Sequence, residues 1–519
     1  MKRISILFAL FILVYALSGQ TLPNSQYYSS VGGEVSDSLF IPVDTTSRSG
    51  SRTQAIFGER IIYWVHGLGG SASSWQRAAA ITEYGGSIGY PARKVLCSRP
   101  TYSQNSNLMA AALDLDLQLS SLNSTPDWDT VPRNQHFIIA HSQGGLVSRM
   151  LDTLYSDSIN FRREFGGIVT FGTPHWGAKI LDNSDPRGKN MLSPFVKELC
   201  GALVQKELTD AALRIKNTFI SNLIVGSDLI PGISNGVCDA IEGTMFTLLF
   251  SNYSLPITQD YWDSTEVVKK INSHHTNTPV VVAYGVEEQP VFWRTLSSLV
   301  LEDTTVSIPA FGFDDDSYLV DSANRTINRL WSKREHFRIL IRRMDRRIKI
   351  FARISPLTFV AYDYWDYRRR RGSARNSENA YNRLYMWFVN ANPQWERIIG
   401  SRESKFVREG YRCYCTDERN PSNYIVNKLV NSTQECSNNG NPFLMCYTQE
   451  NWILNSTLEE NDGIVLKHSA GSLPSAIGFM KMNKTNHIQM RFSSETRNVL
   501  IDLFDPNEIK YIYFNTSQR

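Results

Sequence analysis

Ser142 stands where an apolar run stops. Phe137-Ile138-Ile139-Ala140 leads into His141-Ser142-Gln143-Gly144-Gly145, and Leu146, Val147, Met150, Leu151 and Leu154 then recur at helical spacing. This order reads as strand, tight turn and helix, with the serine at the tip of the turn. Small residues at 140 and 144 let the two backbones approach where the serine is forced into a strained conformation. A serine so placed could attack an acyl carbon, but a free hydroxyl is a weak nucleophile. It needs a base to take its proton and a carboxylate to hold that base in the right tautomer. The chain has nine histidines. Outside His66, His136 and His141, the candidates are His175, His274, His275, His336, His468 and His487. An ordinary strand–glycine–helix turn with an incidental serine would look the same over these residues, so the flanking sequence decides.

The elements around the serine alternate. Ile61 to Val65 is β-branched and aromatic, the composition of a buried parallel strand, and it ends in His66-Gly67-Leu68-Gly69-Gly70. Trp75 and the Ala-rich segment after it read as a helix, and Lys94 to Cys97 as a short strand. Leu108, Ala111, Leu115, Leu119 and Leu122 define a helix, although Leu113 to Leu119 also alternate as a strand would. Gly167 to Phe171 is another apolar strand, leading into Gly172-Thr173-Pro174-His175-Trp176-Gly177-Ala178, and Pro279 to Gly285 is a further one. Strands and helices at this spacing predict a mainly parallel sheet flanked by helices.

Three motifs, His66-Gly67-Leu68-Gly69-Gly70, Ala140-His141-Ser142-Gln143-Gly144 and Gly172 to Ala178, occur in the order and separation of a known family. With them the chain resembles the α/β-hydrolase superfamily, and within it the bacterial lipase-like serine esterases. Ala140 departs from the usual glycine at the first position of the turn. The resemblance covers about 55 to 185, 279 to 298 and 455 to 505. It implies that the backbone N–H groups of Leu68 and Gln143 form an oxyanion hole. The acid follows the serine and the base follows the acid in such chains. Glu460-Asn461-Asp462-Gly463 and Asn486-His487 resemble the acid and base loops, which makes Asp462 the acid and His487 the base. The rivals are Glu287 or Glu288 after the Pro279–Gly285 strand for the acid, and His468 for the base. His175 reads as pocket wall, His274 and His275 as solvated loop residues, and His141 as facing away from the nucleophile. The implied reaction is hydrolysis of a hydrophobic acyl ester and requires no metal or organic cofactor. Two other outcomes share the scaffold: acyl transfer to an alcohol, and lipid binding without catalysis.

The 519 residues carry a net charge of +4, too little to imply nucleic acid, and no zinc-finger spacing or phosphate-binding glycine loop occurs. Lys2 and Arg3 precede the apolar run Ile4 to Leu17 and then Ser18 and Gly19. This is the pattern of a secretory signal peptide, with an uncleaved anchor as the rival, and it places the protein outside the cytoplasm. Of seven cysteines, Cys413, Cys415, Cys436 and Cys446 fall in one polar, Asn-rich stretch that reads as loop stapled by disulfides. Cys200 with Cys238 is a further possible pair, leaving Cys97. A zinc site in the cluster is disfavoured, because one residue separates Cys413 from Cys415 and no histidine is near. The expected organisation is a signal peptide over 1–20, hydrolase core over 21–184, a first cap insertion over 185–276 and a core strand over 277–300. A second cap insertion over 301–450, helical then Cys-rich, precedes the C-terminal core over 451–519. Within the second, Phe337, Leu340, Ile341, Met344, Ile348 and Phe351 recur at helical spacing, and arginines occupy the other faces of the helix 334–353. Such a helix can lie on an anionic membrane surface. It can also be a lid that packs its apolar stripe on the core and solvates its arginines. The substrate expected is an acyl ester or lipid.

Overall fold

A computed structural model of the chain describes residues 27–29, 60–75, 95–124, 129, 131–157, 165–184, 190–203, 256–274, 278–304, 314–354, 358–417, 420–436 and 444–504. The expected signal peptide, Cys238, His275 and the Ala-rich segment after Trp75 lie outside these residues. So do the side chains of Cys97 and Cys200.

The apolar runs become strands because their side chains are covered on both faces. Strands β1 (Tyr27–Ser29), β2 (Arg60–Val65), β3 (Val95–Ser98), β4 (His136–His141), β5 (Gly167–Phe171), β6 (Val280–Val286) and β10 (Gly478–Asn483) form one sheet in the order β1-β3-β2-β4-β5-β6-β10. Six of them run parallel, and β1 pairs antiparallel with β3 at the edge. Every residue of β4 and β5 is buried, as expected of strands covered by helices on both faces. Edge strand β10 buries only part of its length. Its sequence, Gly-Phe-Met-Lys-Met-Asn, carries too weak a pattern to predict a strand. Helices α1 (Leu108–Asn123), α2 (Gln143–Asp157), α3 (Lys179–Ser184), α4 (Leu192–Leu203), α5 (Glu266–Ser273) and α6 (Val291–Thr304) accompany the sheet. Helix α1 settles the ambiguity of its leucines: Leu108, Leu115, Leu119 and Leu122 are buried, while Leu113 and Leu117 are exposed.

Two very long helices follow, α7 (Tyr318–Ile354) and α8 (Thr358–Ile398). Their near ends root in the main core. Trp387 stacks on Phe195 at 5.3 Å, and Trp395 packs against Phe292 at 5.5 Å. The Trp387 indole N–H donates to the Phe195 carbonyl at 3.1 Å. Farther out the helices pair with each other. Phe337 stacks on Tyr381 at 5.6 Å and Phe351 on Tyr367 at 5.5 Å. The apolar stripe of α7 meets α8 through Phe337 and Phe351, and Phe337 also packs against the core cluster.

Residues 400–459 form a compact unit of their own. Strands β7 (Arg402–Asp417), β8 (Asn420–Val430) and β9 (Leu444–Leu458) make a three-stranded antiparallel sheet in the order β8-β7-β9. Disulfides join Cys413 to Cys436 and Cys415 to Cys446. A stretch expected to be loop is thus sheet, and β9 runs through the boundary expected at 450/451. The polar side chains hide the strands, because a small sheet with solvated faces needs little apolar alternation when disulfides tie it together. Sulfurs joined in disulfides have no thiolate to offer a metal.

Helices α9 (Lys467–Ala470) and α10 (Ser494–Phe504) complete the chain around β10. No helix among the described residues is long and apolar enough to cross a membrane.

Candidate active site

The site is built at the carboxyl ends of the parallel strands, where turns into helices leave backbone N–H groups and side chains exposed. Ser142 joins β4 to α2 with φ +53°. That is left-handed backbone, which a non-glycine residue holds only when its surroundings impose it. They do so here from two sides. The Ser142 N–H donates to the Phe171 carbonyl at 2.8 Å, carrying the β4–β5 ladder one residue past the strand. On the other side, a β-carbon at Gly144 would stand 2.3 Å from the His66 carbonyl oxygen. Only glycine lets the β2 loop come this close.

That loop holds Leu68. It is closed by a hydrogen bond from the Gly70 N–H to the Gly67 carbonyl at 3.0 Å. A β-carbon at Gly67 would lie 2.8 Å from the Ser142 β-carbon, so the loop abuts the serine directly. Gln143 is the first residue of α2, where backbone N–H groups lack partners within the helix. Its side chain is fully buried and accepts from the Tyr261 hydroxyl at 2.9 Å. Tyr261 comes from the 3-10 turn Pro256–Tyr261, inside the first expected insertion. Nothing in the sequence marks this tyrosine.

Asp462 is buried, and every oxygen lone pair that matters has a use. Its Oδ1 accepts the backbone N–H of Ile464 at 3.0 Å and of Val465 at 2.6 Å. Its Oδ2 pairs with His487 Nδ1 at 2.8 Å. The His487 backbone N–H also donates to the Asp462 carbonyl at 2.8 Å. A carboxylate that already takes two N–H donors accepts a third, so the proton sits on Nδ1 and the lone pair on Nε2. A β-carbon at Gly172, the residue after β5, would lie 3.0 Å from His487 Nδ1 and 3.1 Å from Asp462 Oδ2. Gly172 follows Phe171, whose carbonyl holds the Ser142 N–H. Asp462, His487 and Ser142 therefore meet around one strand end. The Ser142 hydroxyl makes no hydrogen bond to His487 in this arrangement, and such bonds often form only with substrate in place.

A mainly parallel sheet flanked by helices, with Ser142 in a strained turn after its central strand and a glycine loop against that turn, decides the fold. The chain has the α/β-hydrolase fold. No protein-family model and no curated protein matches the sequence. Among solved structures it is similar to the mature lipase BlEst2 of Bacillus licheniformis, at 14% identity over 50% of this chain and 72% of that one, with a TM-score of 0.21. It is also similar to the phospholipase PlaB of Legionella pneumophila, at 12% identity over 46% of this chain and 41% of that one, TM-score 0.27. A third is the peroxisomal α/β-hydrolase Lpx1 of Saccharomyces cerevisiae, at 14% identity over 50% of this chain and 74% of that one, TM-score 0.24. The hydrolase fold of this chain rests on its own strand order and turn geometry.

The other histidines have separate employment. The His141 ring packs 4.7 Å from the His487 ring, and its Nε2 lies 2.8 Å from the His487 carbonyl. A carbonyl only accepts, so His141 Nε2 carries a proton. Burial first, then the neighbouring His487 and Arg491, hold His141 well below its ordinary pKa and keep it neutral. It braces the base loop. His66 is lowered to about 4, mainly by burial. Its Nδ1 bonds the Gly67 carbonyl at 2.9 Å, and Tyr102 stacks on its ring at 4.6 Å. His175 is buried between Arg149 Nη1 at 3.2 Å and the Thr170 hydroxyl at 3.1 Å, which ties α2 to β5. His468 is exposed on α9 and His336 on α7.

Glu287, the rival acid, is buried at the end of β6. Its backbone N–H donates to the Asn461 carbonyl at 2.8 Å, so it touches the acid loop without facing the base. Burial, then the adjacent Asp316 carboxyl, push its pKa up to about 9. Asn486, the neighbour of His487, donates to Asp316 Oδ2 at 3.1 Å and to the Ser298 hydroxyl at 2.9 Å. Asp316 in turn pairs with Arg294. Glu288 lies farther out, paired with Lys484 at 3.0 Å.

Proposed function

We propose that this chain is an exported serine carboxylic-ester hydrolase that cleaves hydrophobic acyl esters through an acyl-enzyme on Ser142. One observation carries the reading: an Asp462–His487 pair at 2.8 Å, its tautomer fixed, beside a serine at φ +53°. In the first step Ser142 Oγ passes its proton to His487 Nε2 and bonds the ester carbonyl carbon. Asp462 stabilises the imidazolium that results. The tetrahedral oxyanion lies against the backbone N–H groups of Leu68 and Gln143, each worth roughly 3 kcal/mol in the transition state. On collapse the C–O bond to the alcohol breaks, and the departing oxygen takes the proton from His487. Water then repeats the sequence, its proton going to His487 and its oxygen to the acyl carbon, and Ser142 is released. No step calls on a metal or organic cofactor. The basic, signal-like start of the sequence and two disulfides in the unit 400–459 support export.

The test is a series of p-nitrophenyl esters from acetyl to palmitoyl, with wild type and Ser142→Ala. Turnover that rises with chain length and vanishes in the variant is expected. Negligible turnover across the series would remove the hydrolase reading. Ester product appearing only with an added alcohol would replace hydrolysis by acyl transfer.

A further inference from the structure

The hairpin of α7 and α8 is long, and its outer half touches no core. Helix α7 has 37 residues, about 55 Å at 1.5 Å per residue. Its last buried side chain is Leu330, and α8 has none before Ala374 among the described residues. Phe337 is the last α7 side chain packed against the core cluster, so 17 residues of α7, roughly 25 Å, lie beyond it. Contacts hold the two helices side by side over this length: Arg338 with Glu378 at 3.0 Å, Arg371 with Asp345, and Phe351 with Tyr367.

This outer half is strongly basic. Residues 338 to 378 contain twelve Arg or Lys and four Asp or Glu, a local charge of +8 in a chain whose total is +4. The acids are largely spent inside the hairpin: Asp345 on Arg371, Asp366 on Arg369 and Arg370, Glu378 on Arg338. Arg343, Arg346, Lys349 and Arg353 are exposed and enter no ion pair among the described residues. Mutual repulsion of this size is a standing cost unless something anionic offsets it. A cleft of about 510 Å³ lined by Arg338, Ile341, Arg342, Arg371, Arg375 and Glu378 opens on the same segment, and it includes none of the triad residues. Beside the charges sit large apolar groups that are more than half exposed. Trp365 is 63% exposed and Ile350 is 54% exposed. Arg368 lies over the Trp365 ring at 5.4 Å, with its charge at the level of the indole.

Basic residues interleaved with exposed Trp and Ile match one kind of surface, a bilayer with anionic headgroups. The arginines meet phosphates, and the indole enters the headgroup boundary. A purely polyanionic partner would use the charges and leave Trp365 and Ile350 uncovered. We propose that the outer half of the α7–α8 hairpin is a docking surface for anionic lipid membranes, which brings the protein to esters presented in a bilayer. Only that last clause rests on the hydrolase reading; binding itself does not.

The test is co-sedimentation of the full-length protein with sucrose-loaded vesicles of phosphatidylcholine, with and without phosphatidylglycerol. Wild type should bind the anionic vesicles, release them as salt rises, and ignore the neutral ones. Arg343→Glu/Arg346→Glu/Arg353→Glu should weaken binding by roughly a hundredfold, at about 1 kcal/mol for each lost arginine. Lysine at the same three positions should keep most of it. Trp365→Ala should weaken binding further at high salt. Both sets should leave turnover of a soluble short-chain ester unchanged, and Ser142→Ala should bind as wild type does. Failure to bind anionic vesicles, equal binding to neutral ones, or retention on heparin without any on vesicles would overturn the proposal. Unchanged binding in the glutamate variant would overturn it as well.

Discussion

The Asp462 carboxylate shows how much of the chemistry is decided by hydrogen-bond counting. Two backbone N–H groups fix Oδ1, so Oδ2 faces His487 Nδ1, and Nε2 is left with the lone pair that the proposed mechanism needs. An amide in its place can turn a donor toward Nδ1 and favour the wrong tautomer. Asp462→Asn should fold normally and lose on the order of 10³- to 10⁴-fold in kcat with little change in KM, read from steady-state kinetics on a short ester. A loss under tenfold would mean that the acid lies elsewhere. Ser142 is singled out by its small neighbours at a strand end, while Asp462 and His487 are singled out by the resemblance of their Asn-Asp-Gly and Asn-His loops to those of bacterial lipases. Tyr261, Asp316 and Trp395 carry no such mark. Each reaches a residue far away in sequence by a hydrogen bond, and one polar or aromatic residue among many gives no pattern to read.

At the scale of elements, the long helical insertion both begins and ends on the loops that carry Asp462 and His487. Asp316, just before α7, holds Asn486 of the base loop at 3.1 Å. Trp395, near the end of α8, donates its indole N–H to the Gly463 carbonyl of the acid loop at 2.9 Å. Glu287 at the tip of β6 sits behind both loops as a neutral acid. The consequence for stability has a definite sign. The unfolded chain loses this proton near pH 4.5, while the folded chain keeps it until about pH 9. Between these values the folded state binds more protons, so this group's contribution to stability falls as pH rises. Glu287→Gln keeps the shape and removes the ionisation. Its melting temperature should match wild type at pH 4 and exceed it by a margin that widens from pH 5 to pH 8. A constant margin across that range would show that Glu287 is ionised in the fold. The main strands were legible because burial on both faces demands apolar runs. Strand β10 and the strands of the unit 400–459 were not, since one is an edge and the others carry polar, solvated faces. The periodicity of α7 was legible, but its partner was not, because a stripe that meets a second helix looks like one that meets a core.

At the scale of the whole molecule the chain folds as two compact units. Ser142, Asp462 and His487 all belong to the larger one, while both described disulfides belong to the residues 400–459. Each disulfide closes a loop, with sequence separations of 23 and 31, and is worth about 3 kcal/mol to so small a sheet. Reduction with dithiothreitol should open residues 400–459 to limited proteolysis and leave short-ester turnover intact, which a protease digest and an activity assay on the same sample can follow. Loss of activity in step with cleavage would tie the small unit to catalysis. The account as a whole stands on the nucleophile. A fluorophosphonate probe followed by peptide mass mapping tests it most directly. The prediction is one label per chain, on Ser142, slowed by orders of magnitude in His487→Ala and absent in Ser142→Ala. An unlabelled wild type, or equal labelling of Ser142→Ala, would contradict it.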